Sequence, residues 1–550
     1  MSSLDEYSTN RAALIAEDRA LRVDHARAAT HTTAELQADA IVRRIRKEEE
    51  EAIWAKEHDD VPHPFPGMEF LTGKHIILKT KLFKLLSKMP KGALLHAHLD
   101  ITVNSKSLLE LALQYPTIHI CAPTSINAAT ISSVSPEFKP HPPGLSSSSG
   151  ALSLSVTDYI PNTWIPLQTA RENFAPSLGG KDGFDTWILG KMSITPSEAY
   201  ITHNNNIRIW DKFREAINFA RPLVYYFPLF EKYVKTFLLE TVADGVSYIE
   251  ARINFSPKYM VGEDGQENVP HREWLITINK VAQDLKQSLK ERGCEDDLIG
   301  IRIIYTIIRD CSLSEMEWYL EDCLALKKEF PHLIAGKCTV VESTTPFLTS
   351  LDAGFDLVGD ENILKPLIDY IEPLLGFQKR QKELGLDVPF IFHGGETCGD
   401  GTKADVNLYD AILLGTKRIG HGFSLVKHPK LMQICREKGI AIEVCPISNE
   451  ILRLTASMTM HPLPILLNNG VPVALSSDDP TVFQNMGLSF DFFQVLAASE
   501  VTSLLTLGHL ARDSITYSTL EDIQKAYALA AWEKRWTTYV QAIVALDGAF

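Results

Sequence analysis

The chain has 550 residues, of which 45% are hydrophobic and 22% are charged, and its formal net charge is −15. This length exceeds one ordinary domain, so we expect one large catalytic domain with extensions. The acidic balance disfavours a polymeric nucleic-acid partner, because phosphate binding depends on basic surface, and it favours a small-molecule substrate. No apolar run is long enough to span a bilayer, so no membrane partner is expected.

The first 64 residues, 1–64, are predicted to form an N-terminal helical arm. Thr32 and Glu35 have capping-box spacing ahead of an amphipathic helix that runs through residues 48–51. The prolines of residues 62–67 end this arm. Two interpretations stay open: the helix lies on the catalytic domain, or it is a dimerisation arm of an expected homodimer.

Cysteine usage and the first residues bear on the compartment. The chain begins with a polar, charged segment rather than the apolar core of a secretory signal. Eight cysteines are scattered without a CxxC motif, which is typical of free thiols in a reducing compartment. These observations predict a cytoplasmic protein.

Residues 65–550 are predicted to form an α/β catalytic domain, a TIM-type (β/α)8 barrel with an insertion after strand 1 at residues 104–195. Eight short apolar or β-branched runs alternate with helical stretches, which indicates a parallel sheet closed into a barrel. The runs are residues 92–96, 245–254, 298–308, 354–357, 389–393, 418–421, 441–445 and 472–476. In this fold, active-site residues lie where the strands end.

Polar side chains with metal-binding chemistry follow four of these runs. They are His96, His98, His393, His421 and Asp478. Side chains two residues apart in an extended segment point the same way, so the first two histidines are placed to hold one ion. Three imidazoles and one carboxylate suit zinc. Glu396, three residues after His393, is placed to protonate a substrate without binding the metal.

The order of these motifs resembles the adenosine deaminase superfamily, specifically its growth-factor-related (adenosine deaminase 2-like) branch. The matching stretches are MPKGALLHAH (89–98), GFDLVGDE (354–361), HGGET (393–397), RIGHGF (418–423), EVCPISN (443–449) and SSDDP (476–480). The resemblance covers roughly residues 65–540, and the combination of motifs is highly specific.

The resemblance implies a metal centre and an acid–base pair. One zinc ion per chain would be held by His96, His98, His393 and Asp478. Glu396 would donate a proton to purine N1, which makes C6 electrophilic. His421 would orient the attacking hydroxide as its base or electrostatic partner.

The resemblance also implies a purine nucleoside pocket. Asp479 would accept a hydrogen bond near purine N7, Gly359 would contact the purine edge through its backbone, and Asp100 would reach the ribose hydroxyls. Trp210 and Phe213 would form an aromatic wall, although a buried helix stripe explains these two residues equally well.

The implied activity is hydrolytic deamination of adenosine and 2′-deoxyadenosine, with inosine and ammonia as the products from adenosine. The alternatives are deamination of AMP or of an N6-substituted adenosine, and a catalytically weak growth-factor-like binding protein. A two-metal hydrolase is disfavoured, because residues 354–357 offer no lysine to bridge two ions.

Three departures from the branch bear on location and substrate. The insertion at 104–195 contains only Cys121, so the internal disulfide of secreted relatives cannot form, and secretion is kept only as the alternative location. Asp100 follows Leu99, whereas relatives have aspartate directly after the second histidine. Residues 304–309 have isoleucine where relatives have a polar Asp-His pair, so the ribose side of the pocket is expected to differ.

Residues 336–353 interrupt the family pattern. Relatives continue directly from a segment like 330–335 to one like 354–361, and the intervening residues show no clear periodicity. Two interpretations are equally supported: a foreign insertion, such as a retained in-frame intron, or a long loop. Either would leave the barrel at its N-terminal face, away from the metal.

Overall fold

The computed structural model of the protein describes residues 4–142, 152–331, 333 and 354–546. The segment 336–353, predicted to be an insert, therefore lies outside the described residues. Within the described ranges, no helix has the length and apolar character needed to cross a membrane. The seven cysteines in these ranges are all unpaired.

Eight parallel strands form the centre of the molecule. They are β1 (Gly92–Leu94), β2 (Val246–Asn254), β3 (Gly300–Ile308), β4 (Phe355–Val358), β5 (Ile391–Gly394), β6 (Arg418–His421), β7 (Ala441–Val444) and β8 (Val473–Leu475). They pair as two four-stranded sheets, in the orders β1-β2-β3-β4 and β5-β6-β7-β8. A bridge between Phe355 and Phe390 joins β4 to the start of β5, and one between Ala97 and Asp478 joins the ends of β1 and β8. The predicted (β/α)8 barrel is confirmed.

The strands are buried on both faces, as expected of a parallel sheet covered by helices. All nine residues of β2 are buried, and so are all four residues of β6 and of β7. These strands nevertheless contain charged side chains, namely Glu250, Arg252, Arg418 and Glu443, each no more than 1% exposed. Buried charges must be paired, so the interior of the barrel contains an ion network as well as apolar packing.

Helices surround the barrel in the expected alternation. Those between successive strands, from β1 to β8, are Phe227–Ala243, His271–Glu291, Leu313–Glu329, Ile371–Leu384, Lys403–Leu413, Pro429–Lys438 and Leu463–Asn468. Pro446–Ile451 directly follows β7. Beyond β8 come Pro480–Phe483, Ser489–Ala497, Leu504–Thr516 and Asp522–Leu546.

The insertion after β1 forms a small mixed layer above the barrel. It contains the helices Ser105–Ala112, Leu167–Glu172 and Gly180–Met192, and a three-stranded antiparallel sheet of Ile118–Cys121, Glu137–Pro140 and Ile165–Pro166. It leads into the amphipathic helix Asn206–Val224, which packs against Glu137–Pro140 and the 3-10 turn Leu99–Ile101. The insertion therefore positions this helix next to the C-terminal end of β1.

The N-terminal region has two differently packed helices. Thr33–Glu49 begins at the Thr32 capping box and buries Ala38, Ile41, Val42 and Ile45. It packs against the C-terminal helices Leu504–Thr516 and Asp522–Leu546, so this helix lies on the catalytic domain. Leu4–Ala20, in contrast, has no buried residue. Phe70–Ile77 and Lys81–Leu86 then lead into β1. Dimerisation through the arm stays a prediction.

Candidate metal and catalytic site

The predicted metal ligands meet at the C-terminal ends of β1, β5 and β8. His96 Nε2 and His98 Nε2 lie 3.3 Å and 3.4 Å from Asp478 Oδ1. Ligand nitrogens of His96, His98 and His393 lie within 4.8 Å of one another. Since each ligand atom sits about 2.0–2.2 Å from a bound zinc, a cluster of this size suits a single ion.

Two atoms in this cluster have no partner that the fold supplies. His96 Nε2 and Asp478 Oδ1 are buried, and neither makes a hydrogen bond within the part of the chain that the structure describes. Buried polar atoms in native proteins are almost always satisfied, so such atoms point to a group that the protein binds. A nitrogen and a carboxylate oxygen facing the same point fit a divalent cation.

The backbone at the strand ends adopts unusual conformations that place side chains at the cluster. His421 and Asp478 both adopt left-handed conformations, with φ of 60° and 59°. Non-glycine residues seldom do so, and such strain is concentrated at functional sites. Gly420 leaves room for the cluster, because a Cβ at this position would lie 2.9 Å from His96 Cε1.

Carboxylates behind the histidines orient their rings. Glu443 Oε2 lies 2.8 Å from His96 Nδ1, and Asp356 Oδ2 lies 2.7 Å from His393 Nδ1. In each pair, the Nδ1–H donates to the carboxylate and leaves Nε2 with the lone pair that a metal needs. Arg252 donates to both carboxylates at 2.8 Å.

Electrostatics favours neutral imidazoles and an ionised aspartate. Burial lowers the pKa of His98 to about 3 and that of His393 well below its usual value. Burial acts to raise the pKa of Asp478, but His421, His96 and His98 hold it well below the usual range. For His96, burial and the charge of Arg252 act to lower the pKa, but the neighbouring carboxylates of Asp478 and Glu443 outweigh them and raise it, so a proton competes with a metal there.

Two further buried carboxyl groups face the cluster, and their surroundings favour the protonated form. Burial, together with the charges of Asp478 and Glu361, raises the pKa of Glu396 well above its usual value. Burial and the charge of Asp478 do the same to the pKa of Asp479. Glu396 Oε1 and Asp479 Oδ1 are buried and, among the described residues, lack hydrogen-bond partners. Both are therefore available to a bound molecule.

The cluster opens into a cavity of about 340 Å³ that contains all the predicted substrate residues. These are Asp100, Trp210, Phe213, Gly359 and Asp479. The Trp210 and Phe213 rings meet edge to face at 5.1 Å, and Phe213 stacks on Phe483 at 5.4 Å. The aromatic pair is thus largely buried in the protein and also forms one wall of the cavity. A partly enclosed, partly aromatic cavity of this size is typical of a small-molecule site.

Comparison with known proteins agrees with this geometry. The family model described as adenosine deaminase matches residues 335–531. The chain is 33% identical to adenosine deaminase 2 of Pongo abelii over 485 residues, covering 86% of this chain and 83% of that protein. It is 28% identical to adenosine deaminase 2 of Dictyostelium discoideum over 548 residues, covering 98% and 88%.

The chain belongs to the adenosine deaminase family. It is a hydrolytic deaminase, as the resemblance implied. Solved structures agree on the fold: an adenine deaminase from Arthrobacter aurescens has a TM-score of 0.52 at 17% identity, covering 82% of this chain and 99% of its own. An Arabidopsis N6-mAMP deaminase has a TM-score of 0.51 at 15% identity, covering 82% and 99%. At such identities, the likeness shows the fold alone.

Sequence reasoning missed several residues of this deaminase's site. Asp356, Glu443 and Arg252 lie within strands that were identified only by their apolar character. A charged residue inside an otherwise apolar run was the available signal, since such a residue must be paired. Arg214 and Arg221 also line the cavity. They lie on the helix that carries Trp210, outside the family motifs.

The surroundings of His421 in the deaminase are also unexpected. Its Nδ1 lies 3.2 Å from Asn449 Nδ2, and Asn449 Oδ1 lies 3.1 Å from His461 Nε2. Glu396 Oε1 is 3.6 Å from the same His421 Nδ1, beyond hydrogen-bond distance. Two residues of no assigned role therefore connect to the candidate base.

Proposed function

We propose that this deaminase is a zinc-dependent enzyme that converts adenosine to inosine and ammonia and also deaminates 2′-deoxyadenosine. The observation that carries the proposal is the pair of buried carboxyl groups, Glu396 and Asp479, each with an unpartnered oxygen among the described residues, that line one cavity with the ligand cluster. A purine presents ring nitrogens that accept hydrogen bonds, and these two groups offer the matching donors. The relatives named adenosine deaminase 2 support this choice of substrate.

The donor set supports one zinc ion per chain. His96, His98, His393 and Asp478 would hold it, because three imidazoles and a carboxylate are typical zinc ligands. When bound, zinc supplies a Lewis acid that makes water nucleophilic near neutral pH. The strand β4 has no lysine to bridge a second ion.

Glu396 is assigned the proton transfer to the purine. Its raised pKa favours the protonated carboxyl group, the form that can donate a proton. Attack at C6 places negative charge on N1, so a donor at that atom stabilises the developing charge where it appears. Asp479 is assigned to hold the other side of the ring near N7, as a donor rather than the acceptor expected from the sequence, because N7 of adenosine carries no hydrogen and the pKa of Asp479 is raised.

The sugar end of the cavity is assigned to Asp100, with Trp210 and Phe213 as the wall. Asp100 is 7% exposed and lies one turn beyond His98 on Leu99–Ile101. Gly359 has a φ of 107°, which side chains rarely adopt, and its backbone can approach the purine edge closely. The cavity therefore offers separate contacts for the base and for the sugar.

AMP is the second candidate substrate, and one observation favours it. Arg221 lines the cavity, and its buried Nε makes no hydrogen bond to any residue that the structure describes. A guanidinium group suits a phosphate. Asp100, Asp310 and Asp360 line the same cavity, however, and would repel a dianion. A binding protein without activity is disfavoured because the ligand cluster and the acid are all present.

Parallel kinetics test these assignments. Ultraviolet absorbance is followed while the zinc-loaded protein is mixed with adenosine, 2′-deoxyadenosine, AMP or N6-methyladenosine. We expect the highest kcat/KM with adenosine and 2′-deoxyadenosine. A higher kcat/KM with AMP would show that the preferred substrate is the nucleotide and not the nucleoside. No turnover of any substrate would reject the proposed function. The zinc content of the same samples tests the metal assignment.

A further inference from the structure

The main chain determines the proton position on His461. The backbone N–H of Leu463 donates to His461 Nδ1 at 3.0 Å. A backbone nitrogen can only donate, so this ring nitrogen must carry a lone pair. Burial lowers the pKa of His461 to about 3, so the ring is neutral at pH 7. Its single proton is therefore on Nε2.

This proton in turn determines the orientation of the Asn449 amide. His461 Nε2–H can only donate, so the Asn449 atom 3.1 Å away must be the carbonyl oxygen Oδ1. The amide nitrogen then faces the other way, 3.2 Å from His421 Nδ1. The assignment of oxygen and nitrogen, which is often ambiguous for asparagine, here follows from the chain of donors.

The geometry points to a fixed tautomer of His421, with the lone pair on Nδ1 and the proton on Nε2, imposed through Asn449 by His461. Asn449 donates to Nδ1, and neutral imidazole has only one proton, which must then be on Nε2. This nitrogen faces the metal-ligand cluster, 3.8 Å from Asp478 Oδ2. Asn449 and His461 are thus positioning residues.

The tautomer decides between the two roles open to His421. A ring with its proton on Nε2 presents a donor, not a lone pair, towards the cluster. In the deamination proposed above, on which this step rests, His421 therefore stabilises the attacking oxygen by donating a hydrogen bond and does not act as its base in the resting state.

Nitrogen NMR tests the tautomer directly, without turnover. The zinc-loaded protein is labelled with 15N-histidine, and the His421 signals are assigned by their loss in His421→Gln. Protonated and unprotonated ring nitrogens have well separated 15N shifts, so the spectrum reports which one carries the proton. We expect a protonated Nε2 on His421 and on His461. A proton on Nδ1 of His421 would overturn the proposal, whatever the enzyme's substrate.

Asn449→Asp tests the relay, that is, the hydrogen bonds that run from His461 through Asn449 to His421, with little change of side-chain shape. A carboxylate still accepts from His461 but cannot donate to His421, so the proton of His421 should move to Nδ1. We expect kcat for adenosine to fall by about 10²-fold, the loss typical of one aligned donor, with KM nearly unchanged. The 15N spectrum should show the exchanged tautomer.

Asn104→Asp is the matched control. Asn104 is a partly buried asparagine outside the cavity that caps Ser105–Ala112, and aspartate is an equally good cap. It should keep wild-type kcat and the wild-type His421 spectrum. An Asn449→Asp protein with kcat within roughly twofold of wild type, or with an unchanged tautomer, would refute the relay. If this variant does not fold, the wild-type spectrum still decides. If wild type deaminates no purine, the proposed function fails while the tautomer is tested independently.

Discussion

Glu443 and Arg252 form a fully buried ion pair, with Oε2 and Nη2 2.8 Å apart. The same Oε2 binds Nδ1 of His96, and the Nε of Arg252 binds Asp356, which in turn binds His393. The guanidinium group of Arg252 therefore connects the two carboxylates that orient His96 and His393, proposed metal ligands that come from different sheets of the barrel. The orientation of the ligands depends on this buried network as much as on the strands themselves.

Glu443→Gln should weaken metal binding. The variant keeps a hydrogen-bond acceptor for His96 but loses the charge that raises the basicity of the ring, so we expect a metal affinity lower by about 10–100-fold. Competition with a chromophoric chelator measures the affinity. Asp322→Asn is the matched control, because Asp322 makes the same kind of contact to His271 at 2.7 Å outside the cluster. Equal affinities of the two variants would contradict the role of Glu443.

Glu396→Gln should separate catalysis from metal binding. It removes the proton donor while leaving the four proposed ligands intact, so kcat should fall by about 10²–10⁴-fold at unchanged zinc content. Steady-state kinetics and elemental analysis of the same sample check both parts. Glu240→Gln, at a half-buried glutamate outside the cavity whose pKa burial also raises, controls for the loss of a carboxyl group. Near-wild-type kcat in Glu396→Gln would show that another group protonates the purine.

Glu450 should make stability depend on pH. Burial raises its pKa from 4.5 to about 8, against hydrogen bonds from Phe70 N–H and Tyr200 and the charge of Arg453. The fold thus favours the protonated form of Glu450. The stability gained from this preference is fully present below pH 4.5 and is lost as the pH rises through about 8.

Glu450→Gln, which cannot ionise, should remove this dependence. Between about pH 5 and about pH 9, the free energy of unfolding of wild type should fall by a few kcal/mol more than that of the variant. Urea unfolding at both pH values measures the difference. The exposed Glu317→Gln should follow wild type, and parallel curves for Glu450→Gln and wild type would contradict the raised pKa.

The predicted homodimer can be tested by removing the first helix alone. Leu4–Ala20 buries no residue, and its Leu4, Tyr7 and Leu14 are 79%, 61% and 67% exposed. Deleting residues 1–20 should leave thermal stability unchanged and convert a dimer to a monomer, as measured by light scattering. Deleting residues 1–60 would not be an equivalent test of dimerisation. It would also remove Ile41 and Ile45, which are buried against the catalytic domain, and expose the core residues that they cover. A dimer that survives the shorter deletion would exclude this helix as the dimer contact.

The barrel was predictable because its signals are local. Each strand is a short apolar run, and four of the runs lead into polar residues at the face where parallel strands end, so residues such as His96 and Asp478 were identified without a structure. Alternation of strands and helices then determined the closed sheet. The capping box at Thr32 likewise marked a helix start that the structure has at the next residue.

The supports of the site were not predictable, because they depend on contacts between distant segments. His461 lies beside a proline, a context that gives no sign of a role in the site, and only the fold brings it to Asn449. Arg252 and Asp356 are 104 residues apart in the chain. Nothing in either strand alone specifies the pairing. The packing of Thr33–Glu49 on the catalytic domain likewise depends on its partner helices, which are distant in the chain.

The bridge between Ala97 and Asp478 closes the barrel at the candidate metal site. His98 N–H donates to Asp478 C=O, and Asp478 N–H donates to His96 C=O, both at 3.2 Å. The first and last strands thus join at proposed metal ligands. During synthesis, a chain that has emerged only as far as β7 lacks both the closing strand and the fourth ligand. The growing protein therefore gains its metal site in the same event that completes the barrel, and a truncated chain would be both open and inactive.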